Sequence, residues 1–456
     1  MKHPSETTSS SIGPQLVVAP TAARGDILAL QYPSRSEIDR LALGKLNSLM
    51  AKILPSNRFY AQKFAPRSFP PFAVLGDLAR FVPFTTKHEV MKDRLAAPPY
   101  GTNLTFPIES YVRCHQTSGS TNMPIRWLDT QESWECIKGN WQQIFDAAGI
   151  TRADRFFFAF SFGPFLGFWS ALEAALARGC FCLPGGGMST LARAQAILDN
   201  SISVLCCTPT YAQHLGETVR DKKLDWSSSR LRLVIVAGEG GGSIPATRAR
   251  IEKLLPGTLV FDHHGMTEVG PVTYQCPAKP GTLHILESAY FPEVIDSQAL
   301  LPVPPGQTGE LVLTTLDRIG SPLLRYRTGD LVRPAAGGQC SCGRWEMALA
   351  GGILGRSDDM VVIRGVNVYP ALFEEILRQE PSVVEYRVEL DTHGAMSELR
   401  LQIEPARDCP DVDGLCRRLS ETLQTALNLR IPVVSLPAGS LPRFEMKSSR
   451  WVRIND

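Results

Sequence analysis

The sequence lacks an excess of charge of either sign. Lys and Arg together number 47 and Asp and Glu number 45, which leaves a net charge of +2 over 456 residues. Proteins built mainly to hold nucleic acid or an anionic membrane surface carry a strongly basic face. The near balance argues against both kinds of partner, and we expect neither nucleic acid nor a membrane to be bound.

The sequence also lacks a long hydrophobic run. Its most apolar stretch, residues 156–172, is shorter than the ~20 residues that a membrane span needs, and Gly163 and Pro164 interrupt it. The N-terminal segment MKHPSETTSSS has no apolar signal core. We therefore expect a cytoplasmic protein, and we expect most of its 11 cysteines to be buried thiols.

The pattern of apolar residues predicts an α/β fold with mostly parallel sheets flanked by helices. Between residues 100 and 275, helical stretches such as 191–198 alternate with continuously apolar runs at 202–207, 231–237 and 258–262. Such runs are typical of parallel strands covered on both faces, and ligands bind at the carboxyl ends of those strands.

The last hundred residues predict a separate, smaller unit. Apolar residues alternate with polar ones around Val388 and Leu401, and leucines recur at helical spacing from Leu415 to Leu427. We predict a flexible tail at residues 1–14, a large domain at 15–354 and a small, mobile two-layer α/β domain at 355–456. Glycines near Gly355 mark the boundary.

A polar loop at residues 116–124, QTSGSTNMP, suits a phosphate cradle. Its hydroxyls and its glycine present O–H and backbone N–H donors to an anion. It is not a Walker loop, because no Gly-Lys-Ser/Thr follows. A plain polar surface loop is the alternative.

Four further segments carry residues suited to a nucleotide. In DHHGMTE (262–268), Glu268 could hold Mg²⁺ and His264 could stack on a base; in YRTGD (326–330), Asp330 could accept hydrogen bonds from ribose hydroxyls. The segment GRSDD begins at Gly355, and LPRFEMK ends at Lys447. Ordinary turns and solvated side chains are the alternative for each segment alone.

In their order and spacing, these segments resemble the adenylate-forming superfamily, and most of all the phenylacetate–coenzyme A ligase family. The resemblance covers about three quarters of the chain, in the segments RCHQTSGST, AGEGGGS, HGMTE, YRTGD, GRSDDMVVIRGVNVYP and LPRFEMKSSRWVR. It implies an ATP-dependent enzyme with two half-reactions. A carboxylate first forms an acyl-adenylate and pyrophosphate, and a thiol, usually that of coenzyme A, then displaces AMP.

The resemblance also implies roles for individual residues. Glu268 would bind Mg²⁺ with Thr267 beside the α-phosphate, and Lys447 would bridge the α-phosphate and the carboxylate. Asp358 would be the hinge about which the small domain rotates. The nucleotide-binding residues would be Thr117, Ser118, Gly119, Ser120, Thr121, Gly238, Glu239, His264, Gly265, Asp330 and Arg356.

Three residues depart from the family pattern. Asn122 replaces a second glycine of the phosphate loop, His264 replaces a tyrosine, and Met446 replaces a glycine before the lysine. Asparagine is the best non-glycine residue at positive φ, and imidazole can still stack. None of the three removes a charge that the chemistry needs.

Two sets of residues suggest further sites. Cys276, His284, Cys340 and Cys342 form a ligand set that suits structural Zn²⁺, and the resemblance extends to relatives with a similar cluster. Four protein ligands leave no open position, so a catalytic role is not expected.

Phenylalanines, among them Phe160, Phe162 and Phe165, crowd the segment that borders the acid in the family. A flat apolar slot would suit a small aromatic carboxylic acid, although a well-packed core is the alternative.

The sequence leaves other functions open. The acyl group could pass to a carrier-protein thiol or another nucleophile instead of coenzyme A, or the protein could bind nucleotide without turnover. A second copy of the chain, forming a homodimer, is a further candidate partner.

Overall fold

A computed structural model describes residues 32–65, 69–117, 124–363, 366–391, 397–444 and 449–454. The helices of this part of the chain are α1 (Arg35–Ile53), α2 (Arg58–Phe64), α3 (Gly76–Phe81), α4 (Lys87–Ala96), α5 (Gln131–Ala147), α6 (Leu166–Ala177), α7 (Thr190–Asp199), α8 (Pro209–Asp221), α9 (Pro245–Leu254), α10 (Pro370–Gln379) and α11 (Val412–Leu427).

The strands are shorter than the helices and more numerous. They are β1 (Tyr111–Gln116), β2 (Arg126–Thr130), β3 (Arg155–Phe158), β4 (Phe181–Pro184), β5 (Val204–Cys207), β6 (Leu233–Val236), β7 (Leu259–Asp262), β8 (Gly265–Met266), β9 (Gly270–Pro271), β10 (Thr273–Gln275), β11 (Thr282–Ile285), β12 (Tyr290–Ile295), β13 (Gly309–Thr315), β14 (Tyr326–Pro334), β15 (Ala348–Arg356), β16 (Val361–Ile363), β17 (Val366–Val368), β18 (Val383–Asp391), β19 (Glu398–Pro405), β20 (Val433–Ser435) and β21 (Trp451–Ile454).

A five-stranded parallel sheet in the order β4-β3-β5-β6-β7 confirms the predicted parallel sheet. Alternate residues of β3 enter different cores. Phe156 and Phe158 pack with Trp141 and Phe145 of α5, while Phe157 packs on the other face with Tyr211 of α8. Because both faces are buried, the strands are continuously apolar, as their sequences predicted.

A second large sheet of six strands is antiparallel throughout, in the order β10-β11-β15-β14-β13-β12. The pattern of apolar residues did not predict this sheet. Its register places Asp330 of β14 directly opposite Arg356 of β15. This pairing brings together two residues that lie far apart in the sequence.

The C-terminal residues build the predicted two-layer arrangement. Strands β18 and β19 form an antiparallel hairpin, β20 and β21 add to it in parallel, and α10 and α11 cover it. The hydrophobic core here draws only on residues 363–431, while the other cores draw on residues 42–349. The exact domain boundary and the hinge at Asp358 stay predictions.

All 11 cysteines are free thiols as expected, but the expectation that most are buried is wrong, because only five are buried: Cys180, Cys206, Cys207, Cys276 and Cys342. No helix of the described part of the chain combines the length and the hydropathy needed to cross a membrane.

Candidate functional site

The predicted phosphate loop is closed at its base by β1 and β2. Thr117 donates its backbone N–H to the carbonyl of Ile125 at 3.0 Å, and its Oγ1 accepts from the N–H of Ile125 at 3.1 Å. Gln116 donates its N–H to the carbonyl of Pro164 at 2.8 Å, which attaches the loop to the aromatic segment.

Several predicted site residues lie outside the described residues. They are Ser118, Gly119, Ser120, Thr121 and Lys447, together with Asn122 and Met446.

The turn that carries Thr267 and Glu268 is held from behind by a buried arginine. Arg318 Nη1 donates to the carbonyl of Thr267 at 2.8 Å and to that of Glu268 at 2.6 Å. The same guanidinium forms a bidentate pair with Asp129 of β2, at 2.6 and 2.7 Å, and both side chains are nearly inaccessible to solvent. The Glu268 turn is thereby tied to the strand that leaves the phosphate loop.

The carboxylate of Glu268 has a partner of its own. The hydroxyl of Tyr326, at the start of β14, donates to Glu268 Oε1 at 3.4 Å. Tyr326 is almost fully buried, so its hydroxyl is fixed in place. Neither Arg318, Asp129 nor this role of Tyr326 was predicted from sequence.

Asp330 lies between two nitrogen-bearing side chains. Its Oδ1 accepts from Arg356 Nη1 at 3.0 Å, and its Oδ2 lies 2.9 Å from His264 Nε2. Asp330 is 2% exposed. The structure thus brings together three of the residues that sequence reasoning assigned to the nucleotide, from the loop after β7, from β14 and from β15.

Arg356 also contacts the predicted hinge residue. Its Nε and Nη2 donate to the two carboxylate oxygens of Asp358 at 2.8 and 3.0 Å. Burial lowers the pKa of Arg356, but its hydrogen bonds to Asp358 and the charge of Asp330 outweigh burial and raise it. Arg356 therefore stays charged and links Asp330 to Asp358.

The glycine-rich loop after β6 lies near the N-terminus of α8. Gly238 has a φ of +94°, a conformation that favours glycine, and Glu239 Oε1 accepts from the N–H of Thr210 at 2.8 Å. Further along, Ser243 donates to Asp262 at 2.5 Å. Burial raises the pKa of Asp262 to about 6, although Ser243 and Arg248 act in the opposite direction. Gly265 lies in the short strand β8 beside these loops.

The predicted acid-binding phenylalanines form a half-buried cluster at the carboxyl edge of the parallel sheet. Phe160 stacks on Phe168 with ring centroids 4.0 Å apart, Phe162 meets Trp169 edge-on at 5.1 Å, and Phe165 meets Phe168 at 5.7 Å. The cluster lies on both sides of Pro164 and includes the first turn of α6, so it adjoins the base of the phosphate loop.

The four predicted zinc ligands come together. One ligand atom from each of Cys276, His284, Cys340 and Cys342 lies within 4.8 Å of all the others. The sulfurs of Cys276 and Cys340 are 3.7 Å apart, too far for a disulfide, and Cys342 Sγ lies 3.4 Å from His284 Nε2. His284 Nδ1 lies 3.2 Å from the carbonyl of Glu346, which orients the imidazole.

Two family models match separate parts of the chain. The family model described as AMP-binding enzyme matches residues 117–315, and that described as AMP-binding enzyme C-terminal domain matches residues 365–453. The phenylacetate-coenzyme A ligase of Pseudomonas putida is 32% identical over 402 residues, which cover 85% of this chain and 88% of that protein.

Solved structures of a 2-hydroxyisobutyryl-CoA ligase match in two states. In the postadenylation state with 2-HIB-AMP, the TM-score is 0.86 at 27% identity, with 92% of this chain and 90% of that chain covered. In the thioesterification state with 2-HIB-AMP and CoA, the TM-score falls to 0.69 over the same shares of the two chains. The chain belongs to the AMP-binding enzymes, in the phenylacetate–coenzyme A ligase family.

Proposed function

We propose that the protein joins a small aromatic carboxylic acid to coenzyme A through an acyl-adenylate formed from ATP. Activation of an acid by ATP and thioester formation with coenzyme A are the chemistry of the family. We infer from the phenylalanine cluster that the acid is aromatic.

One observation supports the nucleotide site above all others. Strand β14 carries both Tyr326, which contacts Glu268, and Asp330, which contacts His264 and Arg356. The carboxylate proposed for Mg²⁺ and the carboxylate proposed for the ribose are therefore attached to one rigid strand. A single extended nucleotide can reach both.

Each residue of the site has a chemical task in this proposal. Asp330 would accept hydrogen bonds from the ribose hydroxyls with its carboxylate oxygens. His264 and Gly265 would lie beside the base, with Gly238 and Glu239 along its edge. Thr117 and residues 118–121 would donate hydrogen bonds to phosphate oxygens.

The first half-reaction brings two anions together, so positive charge must be supplied. Glu268 offers a carboxylate ligand for Mg²⁺, which would neutralise phosphate oxygens when bound. Lys447, with Thr267 nearby, would stabilise the charge that develops as the carboxylate attacks the α-phosphate. Rotation of the small domain about Asp358 would then withdraw Lys447 before the thiol enters.

The phenylalanine cluster supports an aromatic acid. Its rings are only half buried, and they already pack face to face and edge to face at 4.0–5.7 Å, distances at which one more ring can join. The hydrogen bond from Gln116 to Pro164 joins this cluster to the phosphate loop, where the carboxylate must react.

The cysteine and histidine cluster fits structural Zn²⁺. Three thiols and one imidazole are a tetrahedral zinc set, and the contact of His284 with the carbonyl of Glu346 is the kind that fixes a ligating imidazole. We propose that zinc here would join the β10–β11 hairpin to the loop before β15.

A pyrophosphate-release assay over a panel of acids tests the function. We expect turnover with aromatic acids and little with long aliphatic ones. Lys447→Ala should slow adenylation by several orders of magnitude, since a charge at the reacting phosphate is lost, while ATP binding stays nearly intact. The exposed Lys52→Ala of α1 is the matched control.

Analysis of the thioester product identifies the acceptor. Incubation with ATP, the preferred acid and either coenzyme A or a phosphopantetheinyl carrier protein shows which thioester forms. A carrier thioester alone would replace coenzyme A as the acceptor. Absence of pyrophosphate release with every acid would leave a nucleotide-binding protein without turnover, and the proposal would be wrong.

A further inference from the structure

Arg94, near the end of α4, is a partly buried arginine, and two of its three guanidinium nitrogens lack an acceptor among the described residues. Its Nε and Nη1 atoms are inaccessible to solvent and make no hydrogen bond within the described residues. The neighbouring carboxylate of Asp93 accepts instead from the N–H of Thr102 at 2.6 Å and from its hydroxyl at 2.5 Å. Buried donor atoms without an acceptor cost stability, so the retention of these two nitrogens points to a ligand.

The position of Arg94 indicates what kind of ligand this is. Its guanidinium carbon lies 4.5 Å from the ring centroid of Trp127, and that of Arg318 lies 5.8 Å from the same centroid. Trp127 pairs with His115 across β1 and β2, the two strands that close the base of the phosphate loop. Arg318 in turn holds the carbonyl of Glu268. Arg94 therefore lies where the phosphate loop and the Glu268 turn meet.

A second polar group at this place also lacks an acceptor. The indole of Trp127 is 1% exposed, and its Nε1 has no hydrogen-bond partner among the residues that the structure describes. Burial lowers the pKa of Arg94 to about 10, and the positive charge of Arg318 acts in the same direction, against the charges of Asp93 and Glu268. Buried donors that lack acceptors suit an anion.

We propose that Arg94 binds the β- and γ-phosphates of ATP, and hence the pyrophosphate that leaves. The ribose end of the site is marked by Asp330, His264 and Arg356. The charged neighbours of Arg94 belong instead to the side of the phosphate loop and Glu268. An arginine fork matches two phosphate oxygens at once, which a surface lysine cannot do. This inference rests on the proposed roles of the phosphate loop and Glu268.

Calorimetric titration of the full-length protein with magnesium pyrophosphate, magnesium ATP and AMP tests the proposal. Arg94→Met should weaken pyrophosphate and ATP binding about tenfold to a hundredfold, because charge-assisted hydrogen bonds to phosphate are lost. AMP binding should stay within about twofold, since AMP lacks these phosphates. Arg94→Lys should fall between the wild type and Arg94→Met.

A matched control and a stability measurement separate binding from folding. Lys92→Met removes one exposed charge from the same helix and should change no affinity. Because two nitrogens of Arg94 have no acceptor among the described residues, Arg94→Met should melt at or above the temperature of the wild type. The proposal is overturned if pyrophosphate binds Arg94→Met as tightly as the wild type, or does not bind the wild type at all.

Two further results would also overturn the proposal. AMP affinity could fall as much as that for pyrophosphate, or the melting temperature could drop by several degrees. These readouts need no turnover, so failure of the proposed reaction, seen as absence of acyl-adenylate with every acid, is distinguishable from failure of this inference.

Discussion

Single side chains in this site are held by residues that never touch the reacting atoms. Glu268 is an example, because its carboxylate is contacted by Tyr326 and its carbonyl by Arg318. Groups of this kind fix the direction in which a metal-binding carboxylate points, and their loss commonly costs 10–100-fold in metal affinity. The contact of Tyr326 is long, at 3.4 Å, so its contribution should lie at the lower end of that range.

Tyr326→Phe tests this positioning role. We expect the Mg²⁺ concentration for half-maximal adenylation to rise roughly tenfold, because Glu268 loses the hydroxyl that orients it. The melting temperature should change little, since the aromatic ring stays and only one long hydrogen bond is lost. Mg²⁺ titrations of the initial rate of pyrophosphate release provide the measurement.

Tyr32→Phe is a suitable control for that experiment. The substitution is the same, but the ring of Tyr32 lies against Arg344, beside the proposed zinc cluster and not beside Glu268. An unchanged Mg²⁺ dependence in Tyr326→Phe would show that Glu268 needs no orientation by this hydroxyl.

At the scale of elements, the parallel sheet was predictable and the antiparallel sheet was not. Strands β5 and β6 are short apolar runs bounded by turns, a pattern that indicates buried strands directly. Strand β14 instead buries Tyr326 and Asp330 in a segment rich in charge. Its burial depends on partners in other strands, such as Arg356 for Asp330, and no local pattern shows them.

The same reasoning explains which site residues were found. Glu268 and Asp330 lie in short motifs whose residue types fit their chemistry. Arg318 and Asp129 form their pair across 189 positions of the sequence, and Arg94 belongs to a helix outside every motif. Spacing carries no signal at such separations, so these residues become visible only when the sheets are assembled.

The proposed zinc cluster connects the β10–β11 hairpin to the loop before β15. Its removal should therefore lower the stability of the protein. We expect the wild type to hold about one equivalent of zinc per chain. Cys342→Ser should lose this zinc, because a hydroxyl is a poor substitute for a thiolate. A loss of a few kcal/mol should lower the melting temperature by roughly 5–10 °C. Adenylation at 25 °C should stay near the wild-type rate, since none of the hydrogen bonds of the four ligands within the described residues reaches a proposed nucleotide residue.

Metal analysis by mass spectrometry together with thermal melts measures both effects. Cys409→Ser changes a partly exposed thiol of the C-terminal unit and should keep its zinc. Wild-type protein purified without any bound zinc, or Cys342→Ser with an unchanged zinc content, would contradict the assignment.

At the scale of the whole molecule, charged residues join the C-terminal unit to the large one. Arg250 of α9 donates to the carbonyl of Val383 at 2.7 Å and pairs with Glu217 of α8 at 3.0 Å. Arg450 forms a bidentate pair with Glu385 at 2.7 and 3.1 Å, and its third nitrogen donates to Thr210 of α8 at 3.2 Å. These contacts stabilise the arrangement that matches the postadenylation state at a TM-score of 0.86.

Weakening the contact between Arg250 and the C-terminal unit should affect the two half-reactions differently. The double variant Arg250→Met and Glu217→Gln removes the bond to Val383 without leaving an unpaired buried charge. If the small domain must leave this position for thioester formation, adenylation should slow about threefold to tenfold. Thioester formation from purified acyl-adenylate should be unchanged or faster, because a ground state that precedes it is less stable.

Separate assays of the two half-reactions decide the matter. Pyrophosphate exchange reports adenylation, and a stopped-flow reaction of the isolated acyl-adenylate with coenzyme A reports thioester formation. The control is Arg220→Met, which removes an exposed arginine of α8 whose one ion-pair partner among the described residues is its neighbour Asp221. An equal loss in both half-reactions, accompanied by a lower melting temperature, would mean that these ion pairs hold the fold together and do not set the balance between its two states.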